Sequence, residues 1–444
     1  MTGELATHIA ASRTGDLPDA VRAEGVRALV NIVGCSVGGA GEEAVSIALD
    51  AFAPFFGPAT AAILGRRERC DPLHAALFNG IASHVHDFDD TMPKNYIHAS
   101  SPVASALFAY ASTNSVTGRD FLHAFVLGFE VTARVGNATY PAHYDAGWHS
   151  TGTCGVFGAA AAVGWLLALP ADRMVHALGL AATQASGLRE MFGAMGKAFH
   201  PGHAARNGYE AALLARGGFT SGRYPLEGPR GFGAVTSGFF AADRITGGLG
   251  RDFEILGNAY KPFPCGIVNH PAIDAALQLR AEHTLDPASI AAVRLRVAPL
   301  VMDLCGKRDI STGLEGKFSV VHGAAVALVR GKAGLREYTD EGVNDPEVSR
   351  VRNAAVPEGD PAVSEDGVRI EVTLKDGTVL AKSLTHSLGN LARPLSEAQL
   401  DEKFLDQAVL RLPEAKARRL LAATRGIEEL ADVGELVRLA VPDR

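Results

Sequence analysis

The chain has 444 residues, 47% of them hydrophobic and 20% charged, with a net charge of −7. That composition assures a sizeable core and excludes wholesale disorder. The acidic balance supplies no basic field for nucleic acid or an anionic membrane, and 7% aromatic residues argue against a base-stacking platform.

The N-terminal eight residues carry an early acid, Glu4, and no apolar run, so no secretory signal is expected and the expected location is cytoplasmic. The five cysteines (Cys35, Cys70, Cys154, Cys265, Cys305) are scattered and form no C-x-x-C pair. Such usage fits a reducing compartment better than a disulfide frame or structural zinc.

Residues 1–271 read as helix after helix. In 21–35 the apolar positions Val26, Leu29, Val30 and Val33 follow the 3.6 period, and Phe121, Leu122, Phe125, Val126 and Phe129 repeat it behind a start signal at Gly118-Arg119-Asp120. Alanine and glycine crowd 155–164, where small residues let helix backbones approach closely, so the central helices are expected to be buried all round. The longest apolar run, 154–169, has sixteen residues and three glycines. It falls short of the roughly 18–20 needed to span a bilayer. The pattern then changes. Residues 293–297 and 368–374 alternate with period two, the latter running into Asp376-Gly377, a hairpin signal. Between them 318–329 reads as a helix. These features predict a mainly α fold: a large all-helical domain over 1–271, a smaller α+β lid domain over 272–393, and helices over 394–444 that return to the first domain. Ser396-Glu-Ala-Gln399, a capping-box match, opens that last segment.

Three motif matches fail on context. Gly34-Cys-Ser-Val-Gly38 fits the nucleophile elbow, and Gly39-Ala-Gly41-Glu-Glu-Ala44 a dinucleotide fingerprint, but neither follows the strand that gives it meaning. Gly196-Lys197 lacks the upstream glycine and the following hydroxyl of a phosphate loop. A metal reading of His84-x-His86-Asp87, completed by His98, His149 or His203, meets a geometric objection. On a helix His84 and His86 point about 200° apart. No metal and no other cofactor is expected.

What remains is a set of polar islands in apolar surroundings. The densest is 84–101, with three histidines, three carboxylates and a lysine. The others are Gly147-Trp-His149-Ser-Thr-Gly-Thr153, the segment 193–208 with Lys197, His200, His203 and Arg206, the segment 260–270 with Lys261, and Lys317-Phe-Ser319-Val-Val-His322. Beyond the first island they offer cations and neutral imidazoles with little acid. That suits a small polycarboxylate: lysines would fix its carboxylates and a histidine would take a proton from the adjacent carbon. His98 and His149 are the acid/base candidates. Lys197, in glycine-rich context, is the leading cation, and Lys261, framed by Tyr260 and two prolines, is a carboxylate clamp. Thr91 can donate to a carboxylate, and Asp87 can act as acid or base or orient a histidine. His200 and Arg206 are expected to line the pocket or pair with Asp87. Asp89, Asp90, His84, His86, His203 and His270 are read as structural or supporting.

In this order the islands resemble the MmgE/PrpD family, which includes 2-methylcitrate dehydratases, cis-aconitate decarboxylases and iminodisuccinate epimerases. The shared motifs are His-x-x-Asp-Phe-Asp-Asp-Thr with a later His-x-Ser (84–100), Gly-Trp-His-x-Thr-x-Thr-x-Gly (147–155) and Lys-x-x-His-x-Gly-x-Ala-Ala-Arg-Asn-Gly (197–208). Lys-x-x-Pro-Cys (261–265) and Lys-Phe-Ser (317–319) complete the set. The resemblance implies a helical domain with an α+β lid, an active site between them and a homodimer. It places Asp87, Thr91, His98, His149, Lys197 and Lys261 on the decarboxylase's active-site positions. His322 stands where the decarboxylase has a tyrosine, and would be the lid's contribution. Gly266 stands where it has a histidine. The first expectation is therefore a 2-methylcitrate dehydratase-like hydro-lyase, ahead of an epimerase and a decarboxylase. Outside the class stand a metal-dependent hydrolase and a non-catalytic dimeric scaffold.

Overall fold

A computed structural model describes residues 1–443. The fold is mainly α. The long helices Asp19–Gly39, Pro72–His84, Ser100–Ala111, Gly118–Thr139, Ser150–Leu166 and Met195–Gly217 build one body around a single apolar core. The Met195–Gly217 helix packs along both Ser150–Leu166 and Pro72–His84, and it can do so because of what is missing from its surface. A Cβ on Gly80 would stand 2.3 Å from Cα of Gly202, and one on Gly208 would stand 2.5 Å from Cβ of Ala159. The crowded small residues are thus the contact surfaces of helices buried on every side. Among the described residues no single helix is long and apolar enough to cross a membrane.

A second core gathers around His270–His283 and Val320–Arg330, which lie against a four-stranded sheet. Its strand order is Ala355–Gly359, Ile290–Val297, Val368–Leu374, Val379–Leu384. The first pair is parallel, joined by a helical crossover, and the rest are antiparallel. Along Val368–Leu374 buried Val368, Ile370 and Val372 alternate with more exposed neighbours, the half-buried pattern legible in the sequence. The turn at Asp376-Gly377 needs its glycine, which sits at φ +89°.

The chain then returns to the first body. Ser396 and Gln399 close a reciprocal capping box on the Glu397–Ala408 helix, which packs on Asp19–Gly39. The Gly34–Gly38 run is part of that contact: a Cβ on Gly38 would stand 2.8 Å from Cβ of Gln407. Its serine donates to the Ile32 carbonyl (2.8 Å), as a helix-interior hydroxyl does. All five cysteines are buried thiols.

Candidate active site

The Pro72–His84 helix starts on an Asp71 side-chain cap and ends at His84. Beyond it the chain turns sharply through Asp87, whose φ of +52° lies in the left-handed region that aspartate enters more readily than most residues. It then forms the short strand Asp90–Thr91, paired antiparallel with Ala259–Tyr260. A tight turn through Tyr96 brings His98 back beside Thr91 before the Ser100–Ala111 helix begins. The strand pair is what sets the Asp87 turn against the Lys261 loop.

Asp87 is the hub. Its Oδ1 accepts from the ammonium groups of both Lys197 (2.8 Å) and Lys261 (2.7 Å), while its Oδ2 is buried without a protein partner. Burial alone would raise the carboxyl, but the two lysines outweigh it and hold the group well below the usual carboxylate range. The lysines part company. Burial lowers Lys197 further than Asp87 restores it, whereas in Lys261 the pull of Asp87 and Asp89 exceeds the burial penalty and raises the group.

Three imidazoles stand together nearby. His84 and His98 meet edge to face at 4.7 Å, and His149 lies 5.7 Å from His84 and 6.3 Å from His98 between ring centres. Burial, reinforced by the neighbouring lysines, lowers all three below the ordinary histidine value, so they are neutral at pH 7. Their hydrogen bonds assign two tautomers. Nδ1 of His98 lies 2.7 Å from the Asp90 carbonyl oxygen, which can only accept, so Nδ1 carries the proton and Nε2 offers a lone pair. Nδ1 of His84 bonds the buried Asp89 carboxylate (2.8 Å) with the same result. His149 pairs Nδ1 to Nδ1 with His200 at 2.9 Å, and its Nε2 has no protein partner. Asp90, behind His98, is pushed up to about 7 by burial although Ser100 and Asn258 donate to it.

Donor atoms of His84, His98 and His149 come within 4.8 Å of one another, as do those of His84, Asp87, Asp89 and His98. The charges around them do not suit an ion. Asp87 is already shared by two ammonium groups, and the positive charge of Lys197 and Lys261 beside the imidazoles opposes a divalent cation. His86 takes no part, since it faces Glu42 (3.0 Å) on the other side of the turn.

The cavity these groups enclose is lined by Asp87, Thr91, His98, His149, Lys197 and Lys261, six of the residues singled out in the sequence. Tyr96, Tyr144, Phe192, Leu304, Cys305 and Phe318 also face it. Its volume is about 40 Å³, room for a few waters. Clefts of about 450 and 700 Å³ lie elsewhere, so it is the chemistry, not the size, that marks this one.

Three expectations need correction. His322 is not in the wall. Ser319 caps the Val320–Arg330 helix, which turns His322 into the second core, where Nε2 bonds the Glu337 carbonyl (3.0 Å). Phe318, just before that cap, faces the site instead. His200 stands behind His149 as its hydrogen-bond partner and does not line the cavity. Arg206 is nine residues from Lys197 on one helix, about half a revolution away, and is absent from the wall.

So many buried neutral imidazoles make stability pH-dependent. Burial lowers His322 to about 4 and His270 to about 3. Between those values and about 6.5, the unfolded chain binds protons that the folded chain does not, so stability falls as pH falls. Each group contributes up to about 1.4 kcal/mol per pH unit. Asp90 and Glu130, both raised to about 7 by burial, act in the opposite direction over the same range. The histidines outnumber them, so the urea midpoint is expected to drop steadily from pH 6.5 to 5; a flat or rising midpoint would contradict the neutral-imidazole assignment.

The profile of the MmgE/PrpD N-terminal domain matches residues 3–244, and that of the MmgE/PrpD C-terminal domain matches residues 263–429. The chain belongs to the MmgE/PrpD family. Among curated relatives it is 26% identical to a cis-aconitate decarboxylase of Aspergillus terreus, over 99% of this chain and 95% of that protein. It is 28% identical to the human cis-aconitate decarboxylase over 99% and 94%. A mitochondrial 2-methylcitrate dehydratase of Yarrowia lipolytica is 28% identical over 40% of this chain and 37% of that protein. In this MmgE/PrpD member the two family segments meet at the cavity: Asp87, His98, His149 and Lys197 come from the first, and Gly266, Cys305 and Phe318 from the second.

Proposed function

We propose that this protein is a cofactor-independent lyase that removes a proton from the carbon beside a carboxylate of a small di- or tricarboxylic acid. The observation that carries the reading is two buried ammonium groups sharing one carboxylate oxygen, in the same cavity wall as an imidazole whose Nε2 lone pair is free. Lys197, with two N–H groups unspent, would bind a substrate carboxylate; Lys261, whose three N–H groups go to Asp87 and the Cys265 carbonyl, would hold Asp87 in place; and His98 Nε2 would take the carbon-bound proton. Asp87 is held ionised, so it keeps the lysines in place and is a poor proton donor. His149 and Lys197 are better placed to protonate what leaves. Thr91, whose Oγ1 lies 3.2 Å from His98 Nδ1, can turn its own proton toward the cavity.

Dehydration of a 2-methylcitrate-like hydroxy acid is the first form of this reading. A carbon–hydrogen and a carbon–oxygen bond break, a double bond forms, and water departs with the proton supplied by the donor. Decarboxylation of cis-aconitate is the alternative, favoured by the whole-chain similarity to proteins of that name; there a carbon–carbon bond breaks, carbon dioxide leaves, and the site delivers a proton to carbon instead of removing one. Against it, Gly266 offers no imidazole at the cavity and His322 is turned away. Either substrate exceeds the present volume, so the segments bearing Gly266, Cys305 and Phe318 would have to move to admit it.

Proton NMR in D₂O, with 2-methylcitrate, cis-aconitate and iminodisuccinate in separate tubes and a chelator in duplicates, tests the proposal. Loss of water from the first substrate, undiminished by chelator, is the expected result. Deuterium uptake with inversion in the third would reassign the outcome while keeping the proton abstraction, whereas carbon dioxide from the second would replace it with carbon–carbon cleavage and protonation of carbon. No change in any tube would sink it.

A further inference from the structure

Two lysines outside the cavity hold the site together. Lys317 donates to the carbonyl oxygens of His86 (2.7 Å) and Pro264 (2.8 Å). Lys403, on the Glu397–Ala408 helix, donates to those of Phe88 (2.6 Å) and Lys261 (2.8 Å), and lies 4.0 Å over the Phe88 ring. Between them Lys261 reaches the carbonyl of Asp87 (3.2 Å) and that of Cys265 (3.1 Å). Three consecutive carbonyls, at 86, 87 and 88, are therefore each tied by one ammonium group to a carbonyl of the 261–265 loop. The three lysines come from widely separated parts of the chain.

Lys317 and Lys403 are only 5% and 7% exposed, and among the described residues neither is within ion-pair distance of a carboxylate. A buried ammonium without a counter-ion is costly, and burial lowers both to about 8. Neutral amide side chains or water could satisfy the same carbonyls more cheaply, so stability alone does not explain the charge. What these contacts fix is the Asp87 turn in its left-handed conformation and the Lys261 loop beneath it.

We propose that Lys317 and Lys403 are positioning residues that clamp the Asp87 turn to the Lys261 loop, and that this clamp sets the geometry in which Asp87 receives both catalytic-site ammonium groups. It rests on the proposed function only for its turnover arm.

The test uses full-length Lys317→Met and Lys403→Met. Hydrogen exchange read by mass spectrometry is expected to accelerate about tenfold in peptides covering both 84–92 and 259–267, with the rest of the chain unchanged. The melting temperature should stay level or rise, since an unpaired charge has been removed. Turnover on whichever substrate the wild type accepts should fall roughly 10²-fold. Unchanged exchange in either loop, or full turnover, overturns the clamp. A wild type that is inactive on all three acids would sink the function while leaving the exchange result to judge the clamp. If the variants do not fold, wild-type exchange decides. The amides of Asp87 and Gly266, bonded to the His84 and Lys317 carbonyls, must exchange as slowly as the helical core, and exchange within seconds overturns the proposal.

Discussion

Asp87→Asn is expected to destabilise the protein by about 3–5 kcal/mol at pH 7 and to abolish turnover. The estimate is that for removing one partner of a buried ion pair, and here two ammonium groups lose the same partner. Asparagine keeps the shape and tolerates the left-handed backbone at this position, so the loss reports charge rather than conformation. The pH dependence checks the cause. A carboxyl whose folded value is depressed stabilises fully above its unfolded value of about 3.9, and that contribution disappears as pH falls through the folded value. Wild type and variant should thus differ most near neutrality and converge in acid. Urea unfolding at pH 7, 4 and 2.5 measures both: the gap should hold down to about pH 4 and narrow only below it, and a gap unchanged at pH 2.5 would place the effect in packing instead.

His98→Gln is expected to slow proton abstraction by about 10²–10⁴-fold, the usual weight of a general base, while tricarboxylate affinity changes little. Glutamine can still donate to the Asp90 carbonyl that now holds Nδ1, but it presents no basic nitrogen to the cavity. Lys197 keeps its free N–H groups, so binding should survive. Deuterium exchange into the substrate in D₂O isolates the step from the later departure of the leaving group. A loss smaller than tenfold would move the base role to His149, whose Nε2 is also without a protein partner.

Much of the site could be read from the chain because burying polar groups is expensive, and so polar islands among alanine and glycine stand out. That logic reached Asp87, Thr91, His98, His149, Lys197 and Lys261. The helical angle between His84 and His86 was equally informative, and the two rings do face opposite sides, one to Asp89 and one to Glu42. Angular arithmetic not applied to Arg206 would have placed it opposite Lys197. The turn that removes His322 depends on where its helix starts, and boundaries are the weakest part of any sequence reading. Lys403 left a faint signal. It shares a helix face with Leu400, Phe404 and Gln407, all buried, a setting where a lysine is out of place. Tyr144 left none, because an aromatic residue in a pocket wall and one in a core look alike along the chain, and Tyr96 and Phe318 were marked only by the island and the motif around them.

The closest approach of the two helices beneath the site carries a further consequence. Gly80 and Gly202 touch backbone to backbone, seven residues before Asp87 and five after Lys197. At 1.5 Å of rise per residue that contact lies within about two helical turns of both ends of the Lys197–Asp87 ion pair. It therefore works as a spacer of zero thickness for the two paired groups. Adding a methyl group at either glycine would widen the gap between the two carriers and lengthen a bond neither residue makes. The dimensions of this cavity are written in part into residues that have no side chain at all.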